Sequence, residues 1–261
     1  MGTSKEYNGL GEYLESSMAL RTSPIAVKML QKEADIPPGA IRPEKDRGYH
    51  LAQCQAFSIS RRNGASVAMF KEDNWCWGSL LAYGLIDPEI AGRYKELQKD
   101  IKNVPTLEYG KYAGIVSAPL KTANFKWDIV LIYSNTAQLR HMLYALSFIG
   151  EGLVNSAFYP VASCALSVVP ALSGQYCITL PDPGEVGRAL AGEDEITFSV
   201  PESKIEGLVT QLKILDDRKM GYKDNSFLEM RPDFPRPDFY KRLYRECGLF
   251  ADDKPTWPEK W

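Results

Sequence analysis

Six short apolar runs, each bounded by proline, glycine or a polar turn, alternate along this chain with segments of helical periodicity. The runs are Ile25–Leu30, Ser66–Phe70, Tyr112–Ala118, Asp128–Tyr133, Tyr176–Leu180 and Glu195–Val200. Between and around them, Leu10, Tyr13, Leu14 and Met18 share a helix face, and Tyr49 to Arg62 has helical spacing closed by Asn63-Gly64. Asp87-Pro88 opens a surface helix carrying Ile90, Tyr94, Leu97 and Ile101, and Asn135 caps an amphipathic helix with Leu139, Met142, Leu143, Leu146 and Ile149. Ile205, Leu208, Val209, Leu212 and Leu215 mark another. This alternation predicts an α+β fold in a single domain, with mixed sheets flanked by helices.

A weak internal repeat runs through the pattern. Shifting the sequence by 110 residues superposes Cys54 on Cys164, Gly64 on Gly174 and Ser66–Phe70 on Tyr176–Leu180. With a shift of 109, Cys76-Trp77-Gly78 falls on Glu185-Val186-Gly187. The repeated unit is a cysteine-bearing segment, a glycine turn, a strand and a polar junction that opens a helix. Two halves related by a pseudo-twofold would bring Cys54, Cys76, Cys164 and Glu185 together.

Beyond Asp216 the composition turns to charge, proline and aromatics, including the tandem Arg231-Pro232-Asp233-Phe234-Pro235 and Arg236-Pro237-Asp238-Phe239. Residues 1–216 are therefore expected to form the core domain. Residues 217–261 are expected to pack on it as a C-terminal wrap, with Asp238 capping a last helix and Trp257 and Trp261 pinning the tail.

Charge and composition exclude several classes of function. With 31 Lys plus Arg against 33 Asp plus Glu, the net charge is −2 and no basic block stands out, so nucleic acid is not an expected partner. No stretch reaches the roughly 18 uninterrupted apolar residues of a membrane span, and the amino terminus lacks the apolar core of a signal peptide. The expected location is the cytoplasm. Five cysteines, an odd number, argue for thiols rather than a disulfide framework.

Those thiols are the main chemical candidates. Their spacing, Cys-x21-Cys-x87-Cys-x12-Cys over Cys54, Cys76, Cys164 and Cys177, contains no Cys-x2-Cys pair, so any metal site must be assembled by the fold. Trp75 and Trp77 bracket Cys76 at the expected start of a helix, where a thiolate is favoured. His50 stands four residues before Cys54, on one face of the expected helix, a geometry for a ligand pair or a Cys–His couple. His141 reads as a surface or interface residue. Nucleotide-loop, serine-hydrolase and zinc-protease motifs are all missing.

The ordered set Arg21-Thr22-Ser23-Pro24-Ile25-Ala26-Val27-Lys28, Cys54-Gln55-Ala56, Cys76-Trp77-Gly78, Asp128-Ile129-Val130-Leu131, Gln138, Ala162-Ser163-Cys164-Ala165 and Asp194-Glu195-Ile196-Thr197-Phe198-Ser199-Val200-Pro201 resembles the DUF169 family of prokaryotic proteins. The resemblance implies an anaerobic host and shared cysteine positions at Cys54, Cys76 and Cys164. On that basis the first expectation is an iron–sulfur protein, with a 4Fe-4S cluster held by those three thiolates. Cys177, Glu185, water or substrate would complete it. Such a protein would be a reductase or an electron-transfer component, working on a small organic substrate or with a redox partner protein, as a monomer or a homo-oligomer. Two other readings stand beside it: a metal-free small-molecule binding or accessory protein with structural cysteines, and a cysteine-dependent transferase using Cys76 with His50.

Overall fold

The computed structural model describes residues 4–224 and 238–249. All six apolar runs become strands of one sheet: β1 (Ile25–Leu30), β2 (Val67–Phe70), β3 (Gly114–Pro119), β4 (Ile129–Ser134), β5 (Cys177–Thr179) and β6 (Ile196–Pro201), in the order β2-β3-β1-β4-β6-β5. Each pair of neighbouring strands is antiparallel. The helices are α1 (Ser4–Ser17), α2 (Pro43–Arg47), α3 (Gln53–Ser58), α4 (Trp77–Ala82), α5 (Pro88–Gly92), α6 (Gln98–Ile101), α7 (Thr136–Ser147), α8 (Ser163–Leu172), α9 (Pro183–Ala189), α10 (Glu202–Asp217) and α11 (Asp238–Glu246).

The strand order is its own mirror, and the register makes the symmetry quantitative. Ala26 faces Val130 at the centre of the β1–β4 ladder, flanked by Ile25 against Leu131 and Val27 against Ile129. Outward from that pair, Ala26 faces Ala118 as Val130 faces Val200, and Val67 faces Ser117 as Cys177 faces Ser199. The 110-residue repeat read in the sequence is thus the same offset that relates β2 to β5. In each half a crossover helix, α3 or α8, links two strands, and the third strand returns between them. Cys54 is the second residue of α3, as Cys164 is of α8.

Both faces of the sheet are covered, which is why its strands read as continuous apolar runs. On one face Ile25, Val27, Val67, Met69, Ile129 and Leu131 pack with Ala56 and Phe57 of α3 and with Ala165 and Val168 of α8. On the other, Ala26, Val130, Ile132, Phe198 and Val200 meet α1, α7 and α10. The cap on α7 is the expected one: Asn135 accepts the Gln138 N–H, and the Gln138 side chain accepts the Asn135 N–H.

Two expected helices differ. The segment expected to be helical from Tyr49 begins only at Gln53, because Leu51 is drawn into a parallel bridge with Asn74; its last turn, Ile59–Asn63, is a π-helix closed by Gly64 at φ +77°. The surface helix expected from Asp87 ends at Gly92 and resumes as α6. The chain forms two units, Met1–Asp224 and Asn225–Trp261, with α11 in the second. Of residues 217–261, which were expected to form the wrap, 225–237 and 250–261, with Trp257 and Trp261, lie outside the described residues.

Close approach of α1 to the turn after β3 depends on Gly11. A Cβ there would lie 2.5 Å from the Lys121 nitrogen and 2.9 Å from the Leu120 carbonyl carbon, both backbone atoms that cannot swing away. Gly11→Ala is expected to cost about 1–3 kcal/mol in urea unfolding, as overpacking does. A variant as stable as the parent would show that α1 is not docked this way.

Candidate functional site

The two halves exchange helices: α9 packs on α3, and α4 packs on α8. Gly78 makes the second contact possible, since a Cβ on it would come within 3.3 Å of the Ala162 Cβ. Ala162, the cap of α8, itself takes a left-handed φ of +59°, uncommon for a residue bearing a Cβ. This exchange brings the first turns of α3, α4, α8 and α9 around the pseudo-axis, and with them Cys54, Cys76, Cys164 and Glu185.

At the centre is a buried carboxylate. Glu185 is only 3% exposed; Tyr133 donates to one of its oxygens and Ser163 to the other, each at 2.5 Å. Burial drives its pKa up, and the charge on Asp182 adds to the rise, against the opposing pull of the two hydroxyls and Arg61. Asp182 organises the surroundings through backbone bonds, accepting from Glu185 N at 2.8 Å as the cap of α9 and from Ser163 N at 3.0 Å.

Arg61 flanks this group from the π-helical turn. Its guanidinium lies 3.9 Å from the centroid of the Tyr133 ring and forms a two-pronged ion pair with Glu195, both contacts at 2.9 Å. Burial alone would raise the Glu195 pKa, but Arg61 and the Gly192 N–H hold it below its ordinary value. The interior therefore contains a matched Arg61–Glu195 pair and a Glu185 whose pKa burial raises.

The thiols surround the same centre without sharing a focus. Burial pushes Cys54 up to about 11, with the Arg188 guanidinium, hydrogen-bonded to it, pulling the other way. Cys164 is raised well above its usual range, first by burial and then by the charges of Cys76, Cys54 and Glu185. Cys76 is partly exposed at the opening of α4, beside Cys54 and Ala189. Cys177 stands apart in an edge strand, its Sγ donating to the Leu166 carbonyl at 3.0 Å, which is a packing role.

This arrangement overturns the iron–sulfur expectation. Among the described residues, no three His, Cys, Asp or Glu side chains are placed to hold a metal ion. Cys54 is turned to Arg188, Cys177 to the Leu166 carbonyl, and both Glu185 oxygens to hydroxyls, so Cys54, Cys76, Cys164 and Cys177 do not form a ligand set and Glu185 does not complete one. The 4Fe-4S cofactor, and the reductase or electron-transfer role built on it, are withdrawn on that geometry. All five cysteines, Cys247 included, are free thiols.

Neither histidine stands where it was expected. His50 precedes α3, is exposed, and places Nδ1 2.7 Å from the Glu72 carbonyl, so it does not share a helix face with Cys54. His141 is buried rather than superficial, near the Tyr222 ring, and burial lowers its pKa. Trp75, 52% exposed, lies at the rim with the Arg188 guanidinium 5.0 Å from its ring centroid. The sequence reading missed Asp182, Tyr133, Arg61 and Gln53; only Asp182, as an acidic cap before Pro183, carried a signal that could have exposed it.

Next to this centre, Phe158, Tyr159, Pro160, Thr179, Leu180, Pro181, Asp182 and Pro183 wall a cavity of about 330 Å³. Its lining is largely apolar, with polar groups from Tyr159, Thr179 and Asp182, and Asp182 connects it to the backbone N–H groups of Ser163 and Glu185.

Fold and site together define an α+β protein of two crossover halves joined around a buried carboxylate and three thiols. The chain belongs to the DUF169 family, described as uncharacterised ArCR, whose profile matches residues 13–211. No curated protein and no solved structure matches it.

Because Glu185 holds its proton more tightly in the fold than in the unfolded chain, its contribution is fully present below the ordinary glutamate value of 4.5 and is lost as pH rises through the raised one. Glu185→Gln removes this titration. Its melting temperature relative to the parent is expected to climb as pH increases from roughly 4 to 8. A difference that is flat or shrinks with pH would contradict the assignment.

Proposed function

We propose that this protein binds a small organic molecule through protein groups alone, with the apolar part of the ligand seated in the cavity beside Asp182. The cavity carries the proposal. At about 330 Å³ it falls at the small end of the range typical of ligand pockets, roughly 300–1,000 Å³, and its aromatic and proline walls offer rigid apolar surface with few convergent polar groups. Asp182 links any occupant to the Ser163–Glu185–Tyr133 chain, so a ligand that shifts Asp182 acts on the buried carboxylate and on the α8 turn that carries Cys164.

The thiols then serve packing and polarity around the centre, in keeping with the burial of Cys54, Cys164 and Cys177. No helix among the described residues is long and apolar enough to cross a membrane. A cytoplasmic setting, a small-molecule partner and no role for nucleic acid complete the proposal, supported by the free thiols and the near-balanced charge.

Ligand-detected NMR with a panel of uncharged aromatic and alicyclic fragments tests it. Saturable one-to-one binding is expected for the parent protein. Leu180→Trp, at a half-exposed wall position where a larger ring fills the space without disturbing the core, should weaken it about tenfold or more. Binding that survives in Leu180→Trp, or a parent that binds none of the fragments, would overturn the proposal.

A further inference from the structure

Gln53 is 1% exposed, and among the described residues neither its Oε1 nor its Nε2 has a hydrogen-bond partner. Burying a primary amide with both functions unmet costs about 1–3 kcal/mol per unmet group, so a native fold retains one where something else satisfies it.

The pseudo-twofold indicates what that is. Gln53 is the first residue of α3, as Ser163 is the first residue of α8. In the second half the Ser163 hydroxyl donates to Glu185, an acid in the first turn of α9. In the first half the counterpart helix is α4, which is capped by Cys76, begins Trp77-Gly78-Ser79 and has no acid in its first turn. Among the described residues, α4 thus offers Gln53 no counterpart of the carboxylate that α9 offers Ser163.

A cation waits nearby. Arg188 bonds to the thiol of Cys54, the residue that follows Gln53, on the face where α9 packs on α3, and leans on the exposed ring of Trp75. No ion pair to Arg188 occurs among the described residues. Asp182, the acid whose charge acts on it, spends its oxygens on the Glu185 and Ser163 backbone N–H groups. Cys76, the partly exposed thiol, packs against the same cluster of Ala52, Cys54 and Ala189.

We infer that Gln53 and Arg188 form a binding site for the carboxylate of a small organic acid, which takes beside α4 the place that Glu185 takes beside α9. Gln53 Nε2 donates to the carboxylate and Arg188 balances its charge. This site is separate from the cavity beside Asp182, and the two can fail independently.

Calorimetric titration of the full chain with acetate, propionate and benzoate, and with propionamide as an uncharged control, tests the inference. At least one carboxylate is expected to bind one-to-one, with propionamide about tenfold weaker or more. Gln53→Leu and Arg188→Gln should each weaken the carboxylate by about tenfold or more. Gln53→Leu should also melt at or above the parent temperature, because it removes an unsatisfied amide, whereas a purely structural glutamine would lower it. Arg188 is exposed, so its variant tests the site without loading the core. Carboxylate binding unchanged in either variant would overturn the inference. So would a parent that binds the uncharged fragments in the cavity but none of the three carboxylates.

Discussion

Everything at the candidate site depends on the β1–β4 ladder. Among the described residues it is the sheet's only join between the two halves, and it places Ala26 against Val130 on the pseudo-axis. A one-residue slip in this register would turn Ile25, Val27, Ile129 and Leu131 away from α3 and α8 and separate the crossover helices. With the register held, α9 crosses to α3 and α4 to α8. Groups far apart in sequence then meet, and what each half presents at the axis is set by the first turns of its own helices.

The meeting point is polar inside an apolar layer, and the chain stabilises it by pairing. Arg61 is matched to Glu195 by two contacts at 2.9 Å, with the Tyr133 ring beneath the guanidinium, so the cation does not stand uncompensated. Glu185 takes the other route: it keeps two hydroxyl partners and a raised pKa, which lowers the burden of burying charge. Cys54 and Cys164 follow the same rule, as buried thiols biased to their protonated forms. Gln53 is the exception, and the asymmetry between Ser163 with its acid and Gln53 without one is where the duplicated architecture departs from itself.

Much of the framework was legible because it rests on periodicity. The apolar runs became strands, Asn135 capped α7, and Ile205, Leu208, Val209, Leu212 and Leu215 are the buried face of α10. The 110-residue offset, carried by few identities, corresponds to real register because strand pairing preserves spacing even where side chains have diverged. Chemistry was harder to read. The iron–sulfur expectation treated nearness of thiols as coordination, whereas coordination requires donors aimed at one point, and sequence spacing does not encode side-chain direction. His50 was placed on a helix face that does not exist, because the pull of the Leu51–Asn74 bridge is a tertiary contact. Arg61, Tyr133 and Gln53 carry no local signature; each becomes informative only through partners, or their lack, more than fifty residues away or across the axis.

On the proposed function, the thiols around the pseudo-axis belong to a protein-only site and are not the ligands of a cluster. Iron and acid-labile sulfide analysis of protein purified without air, with the visible spectrum recorded before and after exposure, tests it most directly. Colourless protein with neither element in stoichiometric amount and no spectral change in air is expected. Brown protein with stoichiometric iron and sulfide, bleached by air and lost on Cys54→Ser, Cys76→Ser or Cys164→Ser, would contradict it.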